Sequence, residues 1–324
     1  MEKNAATGSK VKRFSVKKAL LLLIASLLAV IVIWAGSTLY SVKTALDKMQ
    51  DIEIHNTAIE WKPPSNIRAV SHKEQKDPWQ QPFSVLLLGI DEREDDIGRS
   101  DTMLLLTVNQ QLQTIKMLSI PRDSRVEIVG NGTTEKINQA YARGGIPMAI
   151  ATVEKMLSVP IDYYVTVNME GFTEIVNVLG GVEVHNDMEF VIGASKFPTG
   201  DIALDGEKAL IYSRIRYEDP RGDFGRQLRQ RQIIQAVMAK AAKPKILLHL
   251  SDIIDILGNN VRMNFKASDL LELQKLYGKL DKEIEQIQFE AGHGQTIDGI
   301  WYYVLDKQEV SKISGELLRH LNLN

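Results

Sequence analysis

The sequence predicts an α/β protein of the α-β-α type, with a single central mixed sheet flanked by helices and preceded by one N-terminal transmembrane helix. Short continuous apolar runs, such as 83–90 and 102–108, are typical of strands buried on both faces. Segments with helical spacing alternate with these runs along the chain. One long apolar stretch without charge lies near the N-terminus, so a membrane segment is expected before the folded part.

The N-terminal stretch is predicted to be a membrane anchor. Five basic residues lie between Lys10 and Lys18, and no charge follows until Lys43. This length suffices for one span of about 20 residues, and the upstream positive charge favours a cytoplasmic N-terminus. A cleaved signal peptide with a small-residue site at 35–37 is the alternative. The predicted organisation is a cytoplasmic tail (1–18), a transmembrane anchor (19–40), an extracytoplasmic stalk (41–82) and one folded domain (83–324).

The predicted elements follow in order along the folded part. Strands are expected over 83–90, 102–108, 114–120, 163–168, 285–291 and 300–306. Helices are expected over 146–158, 169–179, 204–214 with Asp205 as N-cap, 225–242, 246–257, 268–280 and 308–321. Pro244 marks an alternative domain boundary, but the last strands are too few for a sheet of their own, which favours one domain.

Three predicted strands bring charged residues to one edge of the sheet. Their links are short, so the strands should pair as an antiparallel meander. The first strand ends before Asp91, and the second begins after Asp101. The third ends before Arg122, and Arg99 lies in the loop between the first two. The meander therefore predicts a site that combines two carboxylates with two arginines.

Paired carboxylates on loops suit a hard divalent cation, Mg²⁺ or alternatively Mn²⁺, while a plain Asp–Arg salt-bridge network is the other interpretation. The chain has no cysteine, which excludes disulfides, thiolate catalysis and cysteine-ligated zinc. Its six histidines show no zinc-ligand spacing, and no Walker A or dinucleotide-binding motif is present. The net charge of −2 gives no global positive field that would attract nucleic acid.

Six arginines and no lysine lie within 212–232, although the whole chain has more lysine than arginine. Arginine binds phosphate oxygens in pairs and keeps its charge, so this window predicts a phosphate site. A solvated basic helix face balanced by acidic neighbours is the alternative. On the predicted helix, Arg226, Arg229 and Gln230 share a stripe with apolar residues and are expected to face a cleft, with Arg231 facing solvent.

Six segments complete the pattern: LLLGIDER, GRSDTMLLLTVN, SIPRDSRVEI, EKINQAYARGG, LGGVEV and LDGEKALIYSRIRYEDPRGDFGRQLRQRQ. In this order they resemble the LytR-CpsA-Psr (LCP) family of cell-wall glycopolymer ligases, and most closely its teichoic-acid-type members. The resemblance covers about 83–237 and is looser toward the C-terminus. It implies that 83–324 is an LCP catalytic domain.

The resemblance also implies a reaction. LCP proteins are membrane-anchored with the domain outside the cell, so a single-pass protein of the cell membrane is expected. The implied enzyme is a phosphotransferase that takes a glycopolymer with its phosphate from a polyprenyl-pyrophosphate carrier. The acceptor is the C6 hydroxyl of N-acetylmuramic acid in peptidoglycan, and the lipid tail occupies a hydrophobic pocket beside the sheet. The implied partners are the lipid-linked polymer, peptidoglycan and the membrane, without nucleic acid.

Residue roles follow from the same resemblance. Asp91, Asp101 and Arg122 are the predicted catalytic residues, and both aspartates are the predicted metal ligands. Which aspartate acts as the base stays open. The residues matched to pyrophosphate binding are Arg99, Arg122, Lys136, Asn138, Arg214, Arg216, Arg226 and Gln230.

Three other functions compete with this interpretation. Water in place of the sugar acceptor would give a polyprenyl-pyrophosphate hydrolase, and loss of catalysis would give a lipid-binding module. A membrane-bound transcription attenuator is the third. The predicted membrane span, the small net charge and the convergence of arginines on a sheet edge argue against DNA binding.

Overall fold

The computed structural model describes residues 78–92, 98–243, 258, 260–265, 267–280 and 284–323. The predicted tail and anchor, nearly all of the predicted stalk and the predicted helix over 246–257 lie outside these residues. Within them, no helix combines the length and the apolar character needed to cross a membrane.

The described part of the chain alternates between strands and helices. The strands are β1 (Phe83–Ile90), β2 (Ser100–Asn109), β3 (Thr114–Ser119), β4 (Arg125–Glu127), β5 (Thr134–Lys136), β6 (Tyr163–Asn168), β7 (Val182–Asn186), β8 (Phe190–Ile192), β9 (Ser195–Phe197), β10 (Gly200–Leu204), β11 (Val261–Met263), β12 (Ile284–Gln288), β13 (His293–Ile297) and β14 (Ile300–Val304). The helices are α1 (Gln139–Leu157), α2 (Met169–Val178), α3 (Gly206–Arg214), α4 (Asp223–Ala241), α5 (Ala267–Tyr277) and α6 (Lys307–His320).

The first three strands form the antiparallel meander that the sequence predicts. β1 pairs with β2 along its whole length, and β2 pairs with β3. The register shifts between Gly89 and Ile90, where the chain leaves the sheet. The end of β1, the start of β2 and the end of β3 therefore share one edge, which we call the site edge.

Parallel neighbours make the central sheet mixed, as predicted. Its strand order is β11-β6-β1-β2-β3-β12. β6 runs parallel to β1 and β12 runs parallel to β3, whereas β11 is antiparallel to β6. β12 thus joins the central sheet, while β13 and β14 form a separate antiparallel hairpin.

Both faces of the sheet are covered, because successive side chains of a strand point to opposite faces. Leu86, Leu88 and Ile90 of β1 belong to a core with residues of α1 and α6. Val85 and Leu104 point the other way, into a core with residues of α4 and α5. The result is the predicted three-layer α-β-α arrangement.

A third core lies outside the central sheet and was not predicted. The two-stranded sheets β7–β10 and β8–β9 pack with α2, α3 and α4 around residues such as Val182, Phe197, Tyr212 and Ile233. Strands of three to five residues show too little alternation to stand out in a sequence. The short strands β4, β5, β11 and β13 were missed for the same reason.

The helix boundaries agree with the sequence where capping signals exist. Asp205 caps α3 and accepts a hydrogen bond from the Lys208 amide, as predicted. α1 begins seven residues before the predicted helix and passes through Gly144 and Gly145, whose backbone angles are not helical. Because of this irregular turn, the residues before Ile146 do not continue the helical spacing of apolar residues, and the first part of α1 was not predicted.

Candidate active site

The site edge joins the predicted catalytic residues. Arg122 Nη1 lies 2.7 Å from Asp101 Oδ2. The Asp91 amide donates to the Arg99 carbonyl over 3.1 Å, closing the loop between β1 and β2. Gly98 in this loop has φ +78°, and a Cβ there would collide with the Asp91 carbonyl. The loop thus holds Asp91 beside the start of β2.

The end of α3 and the start of α4 supply arginines to the same place. Arg214 is the last residue of α3, and its Nη2 lies 3.6 Å from Asp91 Oδ1. Arg226, in the first turn of α4, lies 2.6 Å from Asp223 Oδ1, and Arg216 Nε lies 3.8 Å from the same oxygen. The positive end of the α4 dipole adds to this set, an arrangement that favours anions.

Asp123 connects three cationic side chains, although sequence reasoning gave it no role. Lys136 Nζ lies 2.8 Å from Asp123 Oδ1. Arg216 Nη2 and Arg122 Nε lie 3.9 and 4.0 Å from Asp123 Oδ2. Its position directly after Arg122 was the only signal in the sequence. This carboxylate sets the spacing of the cations around it.

A polar cleft of about 690 Å³ opens at the site edge, and we call it the main cleft. It gathers residues of the β1–β2 loop, the end of β3, the β4–β5 hairpin and β14. Six of the predicted site residues line it: Asp91, Arg99, Asp101, Arg122, Lys136 and Asn138.

An apolar cavity of about 240 Å³ lies between the central sheet and helices α2, α3 and α4. Its walls include Leu87, Val165, Phe172, Ile233 and Val237. Three more predicted site residues, Arg214, Arg226 and Gln230, line it as well, and Asp101 lines both this cavity and the main cleft. The polar main cleft and the apolar cavity therefore meet at the carboxylate of Asp101.

Several buried polar atoms around this junction have no hydrogen-bond partner among the described residues. They include the donors Arg122 Nε and Arg226 Nε and the acceptors Asn138 Oδ1 and Asp223 Oδ1. Buried donors are satisfied in more than nine cases of ten, so orphaned guanidinium donors at a cleft indicate a ligand that supplies acceptors. Asn138 Nδ2 reaches Asp101 Oδ1 only at 3.5 Å, a long contact that leaves room for adjustment.

The electrostatics of the two central arginines differ. Burial works to lower the pKa of Arg122, but Asp101, Asp123 and Asp223 outweigh it and the pKa is raised. Burial also lowers the pKa of Arg226; there Asp223 and Asp101 oppose it and the neighbouring Arg122 adds to it, so the pKa stays lowered. Arg226 is thus a charge that the folded chain holds at a cost, and an anion in the cleft would offset that cost.

Two members of the arginine window point elsewhere than predicted. Arg229 was expected to face the cleft, but it is 1% exposed and donates to the Tyr212 and Ile215 carbonyls and to Asp219. The carbonyls at the C-terminal end of α3 hold it away from the cleft. Arg231 was expected in solvent, but it is 3% exposed.

Arg231 is buried because its side chain reaches from α4 to the strands β3 and β12 of the central sheet. Its guanidinium donates to Ser119 Oγ over 2.7 Å and to Gln286 and Gln288 over 2.8 and 3.2 Å. Burial lowers the pKa of Arg231 to about 10. The parallel pairing of β12 with β3 was not predicted, so the partners of this arginine could not be seen.

Arg221, for which the sequence gave no role, belongs to a structural clamp around Asp219. Its guanidinium donates to Asp219 and, over 2.6 and 3.0 Å, to both oxygens of Asp187. Burial works to raise the pKa of Asp219, but the hydrogen bonds from Arg221 and Arg229 lower it to about 2. Gly225 lies directly over this carboxylate, and a Cβ there would overlap Asp219 Oδ2.

The fold and the site together combine an arginine-lined polar cleft with an apolar cavity beside the sheet, the combination that an amphiphile with an anionic head and an apolar tail requires. The LytR_cpsA_psr family model matches residues 39–319. The "Polyisoprenyl-teichoic acid--peptidoglycan teichoic acid transferase TagU" of Bacillus mycoides (strain KBAB4) is 41% identical over 307 residues, which cover 95% of this chain and 99% of that protein.

Solved structures give the same result. B. subtilis TagU is 40% identical with a TM-score of 0.62, covering 74% of this chain and 97% of that one. A structure titled "TagT bound to LIIa-WTA" is 36% identical with a TM-score of 0.68, covering 77% and 94%. The chain belongs to the LytR-CpsA-Psr family. It is an enzyme of the phosphotransferase kind that this family comprises.

Proposed function

We propose that the protein transfers a teichoic-acid-like glycopolymer, together with its phosphate, from a polyprenyl-pyrophosphate carrier to the C6 hydroxyl of N-acetylmuramic acid in peptidoglycan. The observation that carries the proposal is the junction at Asp101, where the arginine-lined cleft opens onto the apolar cavity. A lipid pyrophosphate has this combination of a doubly charged head and an apolar tail. The named transferase relatives support the same choice of substrate.

The head group is proposed to bind where the donors lack acceptors. Arg122, Arg226 and Arg214 carry charge at the junction. The Nε donors of Arg122 and Arg226 have no partner in the part of the chain that the structure describes. Guanidinium groups bind phosphate oxygens through paired hydrogen bonds, so several of them can hold a pyrophosphate in one orientation. The isoprene units next to the head then occupy the apolar cavity along Leu87 and Ile233.

The chemistry needs no nucleophile from the protein. The sugar O6 attacks the phosphorus that carries the polymer, and the bond from that phosphorus to the bridging oxygen breaks. Polyprenyl phosphate leaves with the bridging oxygen, and the O6 proton passes to a carboxylate. Positioning and neutralisation of charge supply most of the catalysis in such transfers. Asp101 and Asp91 both line the main cleft and are the two candidate bases.

A magnesium ion fits this site as a partner of the substrate. Asp91 and Asp101 line the main cleft with side chains 28% and 27% exposed. No cluster of three or more metal-ligating side chains occurs in the described residues. Mg²⁺ is commonly held by one or two carboxylates plus substrate phosphates, and this donor set suits that mode. When bound, the ion would neutralise charge on the phosphate oxygens.

The location proposed for this reaction is the outer side of the cell membrane, with the uncharged N-terminal stretch as the anchor. The energy of the transfer resides in the pyrophosphate, so no nucleotide is required there.

Reconstitution tests the proposal. The full chain in detergent would be incubated with lipid-linked polymer, peptidoglycan and Mg²⁺, with polyprenyl phosphate and glycan-bound polymer measured by mass spectrometry. We expect equal amounts of the two products and dependence on peptidoglycan. Release of polyprenyl phosphate at the same rate without peptidoglycan would identify a hydrolase instead. Lipid binding without any release would leave only a lipid-binding module.

A further inference from the structure

A second cleft, of about 520 Å³, opens on the other side of the β13–β14 hairpin. Asp123 lines both this cleft and the main cleft, so the two meet beside the proposed reaction site. We call it the hairpin cleft and define it by Tyr217, Gln227, His293, Trp301 and Tyr303.

The strand β14 forms a wall between the two clefts. Ile300 and Tyr302 line the main cleft, whereas Trp301 and Tyr303 line the hairpin cleft. This is the alternation expected of a strand with both faces in use. A transfer reaction with two large substrates needs two separate approaches that end at one point, and this wall provides them.

The hairpin cleft is unusually rich in exposed aromatic surface. Tyr217 is 90% exposed and Trp301 is 42% exposed, although large apolar side chains in solvent are costly when grouped. A Cβ on Gly292 would meet the Tyr303 ring at 2.5 Å, and one on Gly294 would meet the Trp301 ring at 2.9 Å. The two glycines therefore let these rings lie against the backbone of β13 and the residue before it. Flat aromatic surfaces of this kind suit the apolar faces of sugar rings.

One buried polar group on the floor of the cleft lacks a partner. Gln227 is 5% exposed, and its Nε2 donates to Asp223 Oδ2 over 2.9 Å. Its Oε1 has no hydrogen-bond partner among the described residues. An amide oxygen accepts from a hydroxyl or amide donor, and an N-acetylated amino sugar carries both.

The charges of the hairpin cleft disfavour a polyanion. Arg221 pairs with Asp187 and Asp219, and Arg216 lies 3.9 Å from Asp123. Asp223 adds a further carboxylate to the lining. In the described lining of the cleft, three carboxylates outnumber two arginines, so a chain of phosphates would be repelled whereas uncharged sugar rings would not.

We infer that the hairpin cleft is the acceptor subsite and binds a glycan strand of N-acetylated amino sugars, stacked on Trp301 and Tyr217. The acceptor hydroxyl then reaches the reacting phosphate past Asp123. This inference rests on the proposed transfer reaction and adds to it where the acceptor lies.

Two measurements on the full chain in detergent test the subsite. The first is binding of a peptidoglycan tetrasaccharide, free of donor, by titration calorimetry. The second is the transfer rate as a function of acceptor and of lipid-linked donor. We expect Trp301→Ala and Tyr217→Ala each to weaken tetrasaccharide binding and raise the acceptor KM about tenfold, with the donor KM unchanged, since one aromatic contact contributes roughly that factor.

Matched variants separate stacking from general damage. Trp301→Phe keeps an aromatic face and should recover most of the acceptor affinity. Leu112→Ala removes an exposed apolar side chain (61% exposed) in the β2–β3 turn and should change neither KM. Thermal unfolding of each variant confirms that the fold is retained.

The outcomes distinguish this inference from the proposed reaction. Tetrasaccharide binding that Trp301→Ala weakens, without any transfer in the parent chain, would support the subsite and contradict the reaction. Normal transfer with an unchanged acceptor KM in both alanine variants would overturn the subsite and leave the reaction intact. A raised donor KM in Trp301→Ala would assign the cleft to the donor polymer and equally overturn the inference.

Discussion

Arg226 and Arg229 are both buried and lie three positions apart on α4, but their hydrogen bonds differ. Arg226 is 6% exposed and Arg229 is 1% exposed, so burial does not separate them. Arg229 donates through all three nitrogens of its guanidinium, to two carbonyls and Asp219. Arg226 pairs with Asp223, but its Nε has no partner among the described residues. The two arginines differ in how many of their donors have partners, not in burial. We therefore expect Arg229 to stabilise the fold and Arg226 to bind a ligand.

Loss of Asp219, the carboxylate that pairs with Arg229, should produce the largest change in stability. Replacing Asp219 by Asn removes the counter-charge of Arg229 and one partner of Arg221, so an uncompensated buried charge is left behind. We expect a loss of about 3 to 5 kcal/mol in the free energy of unfolding, measured by denaturant titration. Asp187→Asn removes an exposed partner of Arg221 and should cost less than about 1 kcal/mol. Equal losses in the two variants would show that satisfaction of the buried arginine is not what matters.

On the ligand side, Arg122→Ala should reduce activity while the fold persists. Its Nε, which has no partner among the described residues, is proposed to bind the pyrophosphate, and loss of one charge-stabilising donor lowers rates by roughly 10² to 10³. The check is the rate of polyprenyl phosphate release, with thermal unfolding as the measure of fold. Arg262→Ala, at an exposed position of β11, serves as the control and should keep its activity. Full activity in Arg122→Ala would remove this residue from the site.

A buried basic group at the far end of the sheet extends the comparison to acid stability. His320 is held by Thr107 and Thr114 at 2.7 and 2.8 Å. Burial and then Lys116 lower the pKa of His320 from 6.5 to about 4. The unfolded chain therefore takes up the proton first as the pH falls.

The resulting stability is fully present above pH 6.5 and is lost between pH 6.5 and about 4. We expect the free energy of unfolding to fall by about 2 to 3 kcal/mol over this window. In His320→Asn this dependence of the free energy of unfolding on pH should vanish. In His185→Asn, at a surface position, it should persist. An unchanged slope in His320→Asn would assign the acid sensitivity to other groups.

The smallest expected change in the free energy of unfolding is the most direct test of the difference between Arg226 and Arg229. Arg226→Met removes a buried charge whose pKa burial already lowers, and Asp223 keeps Arg216 and Gln227 as neighbours. We expect the free energy of unfolding to rise by about 1 kcal/mol while transfer is lost. Arg229→Met should instead destabilise the chain. If both substitutions shift stability in the same direction, the distinction between the two arginines fails.

The meander and its edge could be predicted because few topologies are available to buried strands with short links. That argument alone places Asp91, Asp101 and Arg122 together, and the structure pairs Asp101 with Arg122 at 2.7 Å. The family resemblance was needed to add Lys136 and Arg214.

The directions of Arg229 and Arg231 could not be predicted, because their partners come from elements distant in sequence. Spacing along a helix tells which residues share a face, but not what packs against that face. Arg231 meets Gln286 and Gln288 of β12, whose place in the sheet had no local signal. The hairpin cleft was hidden for the same reason, since Trp301 and Tyr217 are far apart in the chain.

The contact between Gly225 and Asp219 has a genetic consequence. Any side chain at position 225 would overlap the Asp219 carboxylate, so Gly225→Ala alone should be harmful. Once position 219 carries a glycine, the overlap disappears and the same substitution loses most of its cost, as expected for residues in contact. The two positions are therefore epistatic: each substitution is harmful on its own, and the second costs less once the first is present.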